Sequence, residues 1–270
     1  MAVPLPHWLI RLIIRLFPNR FSIARLSKVP VLGNLIDLAF FDKDQLMFVP
    51  KVIDLDASFG DPESMPLPYA LAEYFVNVAE HHWVMNFCIC RVSSGCSEYP
   101  RELGCLFLGE ASQRIDPSLG RKVTREEALE HLRRCREAGL VHLVGRNKLD
   151  SLWLGVRPAE RLLTICNCCP CCCLWKIIPD LSVKIRRKIV KMPGVEVRVD
   201  GARCSGCGTC TGVCFVNAIS IEGGRAVIGS ECRGCGRCAE SCPHDAISVT
   251  INDSEYLREA TSRISSAVDL

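Results

Sequence analysis

The alternation of apolar and polar residues predicts an amphipathic helix near the start of the chain. The apolar residues of HWLIRLIIRLF, residues 7–17, recur at helical spacing and leave Arg11 and Arg15 four apart on one face. Pro6 stands at the expected start of this helix and Pro18 at its end. The apolar run is about a dozen residues long, which is shorter than the roughly 20 residues that a membrane-spanning helix needs.

Three later stretches also have recognisable patterns. Thr124 and Glu127 have the spacing of a capping box, which predicts a helix that ends at Gly139. The alternation in GLVHLVGRNKLDSLWLGV, residues 139–156, predicts a β-hairpin that turns at residues 146–148. An apolar stripe predicts a helix over residues 68–86, and it consists of Leu71, Phe75, Val78 and His82.

Charge is distributed unevenly along the chain, although the net charge of +3 gives no indication of a nucleic-acid partner. Residues 1–36 contain no Asp or Glu, and a basic amphipathic helix in such a segment favours peripheral contact with a membrane surface through residues 6–18. The alternatives are a helix that covers the protein's own core or docks on a partner subunit. A second basic run, KIRRKIVK at residues 184–191, is either a solvated helix face or a surface that attracts an acidic redox partner.

Cysteine is the unusual feature of the composition, with 19 among 270 residues. We expect no cleavable signal peptide, and the chain is long for a disulfide scaffold and has an odd number of cysteines. These features favour metal-bound thiolates in a reducing compartment, and we expect a cytoplasmic protein, with peripheral attachment to the cytoplasmic membrane face as a further option.

The strongest pattern is an internal repeat near the C-terminus. Residues 204–220, CSGCGTCTGVCFVNAIS, and residues 232–248, CRGCGRCAESCPHDAIS, superimpose with a shift of 28. Each copy has the spacing C-x2-C-x2-C-x3-C, in which three cysteines ligate one [4Fe–4S] cluster and the fourth ligates the other. We call Cys204, Cys207, Cys210 and Cys242 the first set, and Cys232, Cys235, Cys238 and Cys214 the second set. Two zinc knuckles are the alternative, but they seldom interlock in this way.

The repeat resembles the bacterial-type two-cluster ferredoxins over about 50 residues, from Arg203 to Ile251. The resemblance implies a pseudo-twofold α+β fold around two [4Fe–4S] clusters that relay single electrons. Proline usually follows the fourth cysteine of each copy in that family. Pro243 fits this pattern, whereas Phe215 replaces proline in the first copy without removing a ligand.

Ten cysteines upstream of the repeat form two groups. Cys88, Cys90, Cys96 and Cys105 make the first group, and six cysteines in ICNCCPCCC, residues 165–173, make the second. In the second group, Cys166, Cys169 and Cys172 repeat the C-x2-C-x2-C spacing, Cys168 and Cys171 form an offset C-x2-C pair, and Cys173 is extra. Adjacent side chains diverge, so we expect this run to serve two sites, or one site with spare thiols.

We expect one or two further iron–sulfur clusters at these cysteines. The alternatives are a zinc site with thiolate ligands from Cys88, Cys90, Cys96 and Cys105, or a cluster with an open iron. Cys135 lies in a predicted amphipathic helix and is expected to be a packed core thiol, and His81 and His82 are expected at the surface or in the core.

The upstream region also resembles a poorly characterised family of cysteine-rich iron–sulfur proteins from anaerobic archaea and bacteria. The shared stretches are NFCICR, LGCLFLG, EEALEHLRRCREAGLVHL and ICNCCPCCC, followed by the ferredoxin repeat. This resemblance covers most of the chain from about Asn86 onward and implies a shared cysteine-rich domain, but no settled activity. The oxygen sensitivity expected of so many thiolates predicts an anaerobic host.

The patterns together predict an α+β protein with a C-terminal pseudo-twofold ferredoxin domain and a mostly helical, cysteine-rich N-terminal domain with one β-hairpin. The expected boundaries are a basic N-terminal segment at 1–50, a cysteine-rich domain at 51–180, a basic linker at 181–200, the ferredoxin domain at 201–252 and a tail at 253–270.

Three functions fit the sequence. An electron carrier or redox subunit that works with a redox protein partner is favoured, because no nucleotide-binding loop or catalytic triad is evident. A redox enzyme would reduce a small substrate or disulfide at the cysteine-rich site, with electrons from the ferredoxin domain, and the surplus of thiols favours it. A cluster-assembly factor is the third.

Overall fold

The structure is a computed structural model that describes residues 6–51, 54–55 and 67–270. Its helices are short in most places and lie between the strands along the chain. The helices are α1 His7–Leu16, α2 Arg20–Leu26, α3 Pro30–Ile36, α4 Ala70–Val78, α5 Ile89–Ser93, α6 Arg125–Glu137, α7 Lys148–Trp153, α8 Val183–Arg186, α9 Thr209–Gly212, α10 Arg237–Glu240 and α11 Tyr256–Ser265. The strands are β1 Gln45–Phe48, β2 Asp54–Leu55, β3 His82–Met85, β4 Leu106–Leu108, β5 Gly120–Val123, β6 Val141–Arg146, β7 Leu163–Cys168, β8 Ile189–Lys191, β9 Val195–Val199, β10 Ile219–Glu222, β11 Arg225–Ile228 and β12 Ile247–Ile251.

A seven-stranded mixed sheet organises the upstream part of the chain, in the order β5-β3-β4-β7-β6-β1-β8. Neighbouring strands are antiparallel except β1 and β8, which are parallel. On one face, apolar side chains of the sheet pack with α4, α6 and α11 in a core that includes Leu71, Leu132 and Ile264. The other face packs against the N-terminal helices and the ferredoxin domain, so the sheet separates two cores.

The C-terminal repeat folds with its own short strands. Strand β12 pairs with β9 on one side and with β2 on the other, and β10 pairs with β11 in a hairpin. Gly223 and Gly224 connect β10 to β11 with φ of 55° and 75°, which a two-residue hairpin turn of this kind requires. The α+β class predicted from the sequence is therefore confirmed.

Two local predictions are wrong for identifiable reasons. The helix expected over residues 68–86 ends at Val78, and His82–Met85 is the strand β3, buried along its whole length between β4 and β5. A short apolar run of this kind fits a buried strand as well as a helix, and periodicity does not separate them. The cysteine-rich domain therefore contains, besides its helices, a seven-stranded sheet that the sequence pattern does not predict.

The hairpin predicted over residues 139–156 is confirmed only in its first strand, β6, because its expected second strand is the helix α7. Strands β6 and β7 are antiparallel neighbours, but α7 and a loop connect them in place of a turn at residues 146–148. Asp150 organises this connection, since its carboxylate accepts hydrogen bonds from the side chains of Asn147 and Trp153 at 2.7 and 2.9 Å. By contrast, the capping box of α6 is formed by Thr124 and Glu127 as predicted.

The domain boundaries stay predictions, and the structure adds detail to two of the predicted segments. Residues 181–200, expected as a linker, contain α8, β8 and β9, and β8 extends the large sheet. The expected tail, 253–270, contains α11, whose buried face carries Tyr256, Ala260 and Ile264. Within the described ranges, every helix is too short or too polar to traverse a lipid bilayer.

Candidate metal centres

The fold brings together both ligand sets of the C-terminal repeat. The four cysteines of the first set line one small enclosed space, and the four cysteines of the second set line another. Each space therefore receives three thiols from one copy of the repeat and one from the other. Four thiolates around one space are the donor set that a [4Fe–4S] cluster requires, so the residues fit this cofactor.

The backbone around the two spaces repeats with the sequence. Gly206 and Gly208 have φ of 67° and 79°, and their counterparts Gly234 and Gly236 have φ of 63° and 79°. Only glycine adopts this left-handed conformation without steric cost, which allows each loop to wrap closely. The fourth cysteine of each copy accepts a hydrogen bond from the backbone four residues on: Ala218 N to Cys214 Sγ and Ala246 N to Cys242 Sγ, both at 3.3 Å.

The two sets differ in their exposure to solvent. Cys207 of the first set is exposed, and the Thr209 hydroxyl lowers the pKa of its thiol by hydrogen bonding. Burial raises the pKa of Cys235 in the second set. The second set lies against the ring of Phe215, which packs on Phe48 of β1 with ring centroids 5.7 Å apart. Phe215, the departure from the family pattern, thus docks the second set on the seven-stranded sheet.

The upstream cysteines converge at one end of the seven-stranded sheet. The pairing of Leu106 with Ile165 places Cys105, one residue before β4, beside Cys166 of β7. Cys88 and Cys90 follow β3, the neighbour of β4, at the same end. Side chains alternate along a strand, so Cys166 and Cys168 share a face. The strands β3, β4 and β7, rather than the expected helix and hairpin, therefore bring the two cysteine groups together.

Four of these cysteines are very close to one another. The Sγ atoms of Cys96, Cys169, Cys171 and Cys172 all lie within 4.8 Å of one another, and we call these residues the tight quartet. The Sγ of Cys171 is 3.5 Å from that of Cys96 and 3.5 Å from that of Cys169. Three members are buried and Cys171 is half-buried. The structure therefore groups Cys96 with the cysteine run, and not with Cys88, Cys90 and Cys105.

The other six upstream cysteines line a large apolar cavity of about 540 Å³, and Cys169 of the tight quartet also lines it. The cavity is covered by side chains of α1, α2 and the segment after α3, including Leu9, Ile13 and Phe41. Contacts between thiols connect Cys88 with Cys90, Cys105 with Cys166, and Cys168 with both Cys166 and Cys173. These contacts lower the pKa of Cys88 and Cys166 and raise the pKa of Cys90, Cys105 and Cys168. We call the six the cavity thiols: Cys88, Cys90, Cys105, Cys166, Cys168 and Cys173.

Two arginines supply positive charge beside the upstream thiols. Arg91 is fully buried, and its guanidinium donates hydrogen bonds to the backbone oxygens of Asn167, at 2.9 Å, and Leu103. Burial alone would lower the pKa of Arg91, but the negative charge of Cys88 and Cys169 raises it above its usual value. Arg20 stacks on the rings of Phe17 and Phe21 and lines the cavity. A buried cation requires a compensating anion, which thiolates or an anionic cluster provide.

Sequence reasoning placed some residues correctly and missed others. Cys135 lies in a core beside the tight quartet, burial raises its pKa to about 12, and it is the packed thiol that its helix predicted. His82 is buried in β3, where its Nε2 lies 2.7 Å from the oxygen of Val76. Cys173, counted as extra, lines the cavity. Nothing in the sequence distinguishes Arg91 from the other arginines, because its role depends on the contacts of α5.

Comparison with known proteins supports the C-terminal domain. Residues 197–220 and 226–248 match the family model described as a 4Fe-4S binding domain, in two copies. No curated protein and no solved structure matches the chain. The match and the cysteine content support iron–sulfur electron transfer through [4Fe–4S] clusters. The resemblance of the upstream region to a wider cysteine-rich family stays a prediction.

Proposed function

We propose that the protein passes single electrons between the two ferredoxin-type sites and a further iron–sulfur cluster that is held by cavity thiols. One observation carries this proposal. The cavity thiols Cys166, Cys168 and Cys173 belong to the same continuous apolar core as Phe48 and Phe215, and Cys214, Cys232 and Cys235 of the second set pack against that core. Among the described residues, packed apolar side chains therefore connect the second set with the upstream site.

The chemistry of the cavity thiols fits a cluster. Among the residues that the structure describes, only the tight quartet has three or more ligand atoms within 4.8 Å of one another, so the cavity thiols contact one another in pairs but no three of them are as compact as the quartet. Wider spacing suits a multinuclear cluster, and the buried Arg91 and the nearby Arg20 balance its negative charge. When bound, such a cluster takes up and releases one electron at a time, and four of the six thiols suffice to hold it.

The exposed first set is the place where an electron-donating or electron-accepting protein would dock. Cys207 is open to solvent, whereas the second set is covered by the sheet. The basic run at residues 184–191 contributes less than its charge suggests, because Lys184 and Lys188 pair with Asp37 and Arg186 pairs with Glu231. We therefore assign partner recognition to the surface around the first set.

A reducing, cytoplasmic location fits the thiol chemistry. All 19 cysteines are free, including pairs whose sulfurs lie 3.5 Å apart. In an oxidising compartment such pairs would be prone to oxidation, whereas a reducing one keeps thiolates available for metal. Oxygen-free conditions would protect the clusters further, which is consistent with an anaerobic host.

Electron paramagnetic resonance of anaerobically purified protein tests the proposal. After full chemical reduction, we expect about three paramagnetic [4Fe–4S] centres per chain. Their spectra should show magnetic coupling, because the second set and the cavity thiols share one core. Two coupled centres with no third signal would show that the upstream site holds no reducible cluster.

A redox enzyme is the second candidate, and the size of the cavity favours it. A cavity of about 540 Å³ is within the range of small-molecule sites. Reduction of a disulfide there would consume two electrons and two protons and release two thiols, with the electrons supplied through the ferredoxin domain. Turnover of a small disulfide that disappears when Cys168 is replaced by alanine would favour the enzyme. If no small disulfide is turned over while the clusters are reduced rapidly, the electron-carrier function is favoured.

A further inference from the structure

We infer that the tight quartet holds a single tetrahedral metal ion of the zinc class, separate from every iron–sulfur cluster in the chain. The argument starts from distances. A tetrahedral ion with metal–sulfur bonds of about 2.3 Å places its four sulfurs about 3.8 Å apart. In the quartet, Cys171 Sγ lies 3.5 Å from two of its partners, and all four sulfurs lie within 4.8 Å of one another.

The ferredoxin repeat provides an internal comparison. In the described part of the chain, none of its eight cysteines belongs to a group as compact as the quartet. The first and second sets have the sequence pattern of four-iron sites and are more open, whereas the quartet closes to the spacing of one ion. The geometry therefore separates two kinds of thiolate site within the same protein.

The surroundings of the quartet indicate a structural ion. Four protein ligands leave no open position for a substrate. Leu103, Cys135 and Leu140 form an apolar wall around it. Two hydrogen bonds fix the loop that carries Cys96. The Cys96 N–H donates to the backbone oxygen of Arg91 at 2.9 Å, and the side-chain Nε of Arg101 donates to the backbone oxygen of Cys96 at 2.5 Å. The ion would connect this loop to the segment that follows β7, next to the cavity thiol Cys168.

Metal analysis of a Cys171→Ala variant tests this inference. Because Cys171 contacts two other members of the quartet and is not among the residues that line the cavity, we expect zinc to fall from about one per chain to near zero. Iron and sulfide should stay at the native amounts. Cys135→Ala is the matched control, because it removes a neighbouring buried thiol outside the quartet and should leave zinc and iron unchanged.

Loss of about four irons and four sulfides from Cys171→Ala, with no zinc in the native protein, would overturn the inference and make the quartet a cluster site. If the variant does not fold, zinc-edge X-ray absorption of the native protein decides the question. Four sulfur neighbours at about 2.3 Å are expected, and a shell with nitrogen or oxygen, or no zinc, would contradict the assignment. If the quartet held a cluster, the native protein would carry about sixteen irons with a cavity-thiol cluster and about twelve without one, so the native iron count separates failure of this inference from failure of the proposed function.

A second inference rests on the N-terminal helices. Eleven of the twenty large apolar side chains that are exposed in the described residues lie between Trp8 and Phe40. Trp8 is 66% exposed, Val31 76% and Leu38 63%. Apolar surface at this density marks an interaction site. Arg11 and Arg15 are exposed on α1, and no acidic residue precedes Asp37, which is buried and paired with two lysines.

We propose that this surface, formed by α1, α2, α3 and the segment up to Phe40, docks on an anionic lipid bilayer. Exposed apolar side chains combined with arginines and no acidic residues match the interfacial zone of such a membrane, where apolar groups enter the acyl boundary and cations meet lipid phosphates. The same helices cover the apolar cavity, so a docked bilayer would lie beside the upstream site.

Flotation with phospholipid vesicles tests the membrane surface. We expect the protein to float with vesicles that contain phosphatidylglycerol, to bind phosphatidylcholine vesicles less, and to lose binding in a Val31→Asp/Leu35→Asp variant. Val227→Asp changes an apolar side chain that is 41% exposed on β11 of the ferredoxin domain, and it is the matched control. Flotation that the double variant does not reduce, or self-association without flotation, would overturn the proposal and favour a protein-docking face.

Discussion

Replacing both Cys235 and Cys238 with alanine should disconnect the upstream site from the ferredoxin domain. The variant removes two ligands of the second set and none of the first set or of the cavity thiols. We expect iron and sulfide to fall by about four each per chain. The upstream cluster should remain assembled, but a reduced ferredoxin-class protein that docks at the first set should no longer reduce it.

The expected loss follows from the position of the second set. It lies between the exposed first set and the core that contains Phe48, Phe215 and the cavity thiols. Rapid-freeze electron paramagnetic resonance after mixing with the reduced donor measures the result. Cys135→Ala is the control, and its upstream signal should appear as fast as in the native protein. An upstream signal that develops at the native rate in the double variant would show that electrons enter by another route.

Replacing Arg91 with leucine is expected to destabilise the upstream site more than any surface change. The substitution removes hydrogen bonds from a buried guanidinium to two backbone oxygens, those of Leu103 and Asn167. Bonds of this charge-assisted kind contribute about 1.5–3 kcal/mol each, so we expect a loss of about 3–6 kcal/mol in the free energy of unfolding. It also removes the charge that balances the thiolates, and we expect less iron and less zinc per chain.

Thermal unfolding and metal content of the variant measure this effect. Arg133→Leu is the matched control, because it removes an exposed arginine that pairs with Glu130 and Glu137 on α6. Exposed pairs contribute about 0–1 kcal/mol. Arg91→Lys keeps the charge but cannot reach both oxygens in the geometry of a planar guanidinium, so it should recover part of the metal content and little of the stability. Equal melting temperatures for Arg91→Leu and Arg133→Leu would refute the role of Arg91.

The sequence predicted the C-terminal domain in detail because the spacing of its cysteines is set by the geometry of the cluster. Cys214 lines the space of the second copy and Cys242 the space of the first, and Gly208 and Gly236 have the positive φ that the tight loops need. Local signals were reliable elsewhere too, as the capping box of α6 shows. These features depend on residues that are close together in the chain.

Prediction was poorer where long-range pairing decides the outcome. The local pattern predicts a helix at β3, because β4 and β5, the strands that bury β3, lie about 22 and 37 residues later in the sequence and leave no local signal. The sequence also does not show how the cysteine run at residues 165–173 divides between the tight quartet and the cavity thiols. Spacing suggested Cys166, Cys169 and Cys172 as one group, but the alternation of β7 turns Cys166 away and the loop after Cys168 brings Cys169, Cys171 and Cys172 to Cys96.

Determination of iron, zinc and acid-labile sulfide in anaerobically purified protein tests most directly whether the cavity thiols hold a cluster. Two ferredoxin-type clusters and one upstream cluster require about twelve irons and twelve sulfides per chain, with about one zinc in the tight quartet. About eight irons and eight sulfides would mean that only the C-terminal repeat binds clusters. That result would contradict electron transfer to an upstream cluster, whatever the zinc content.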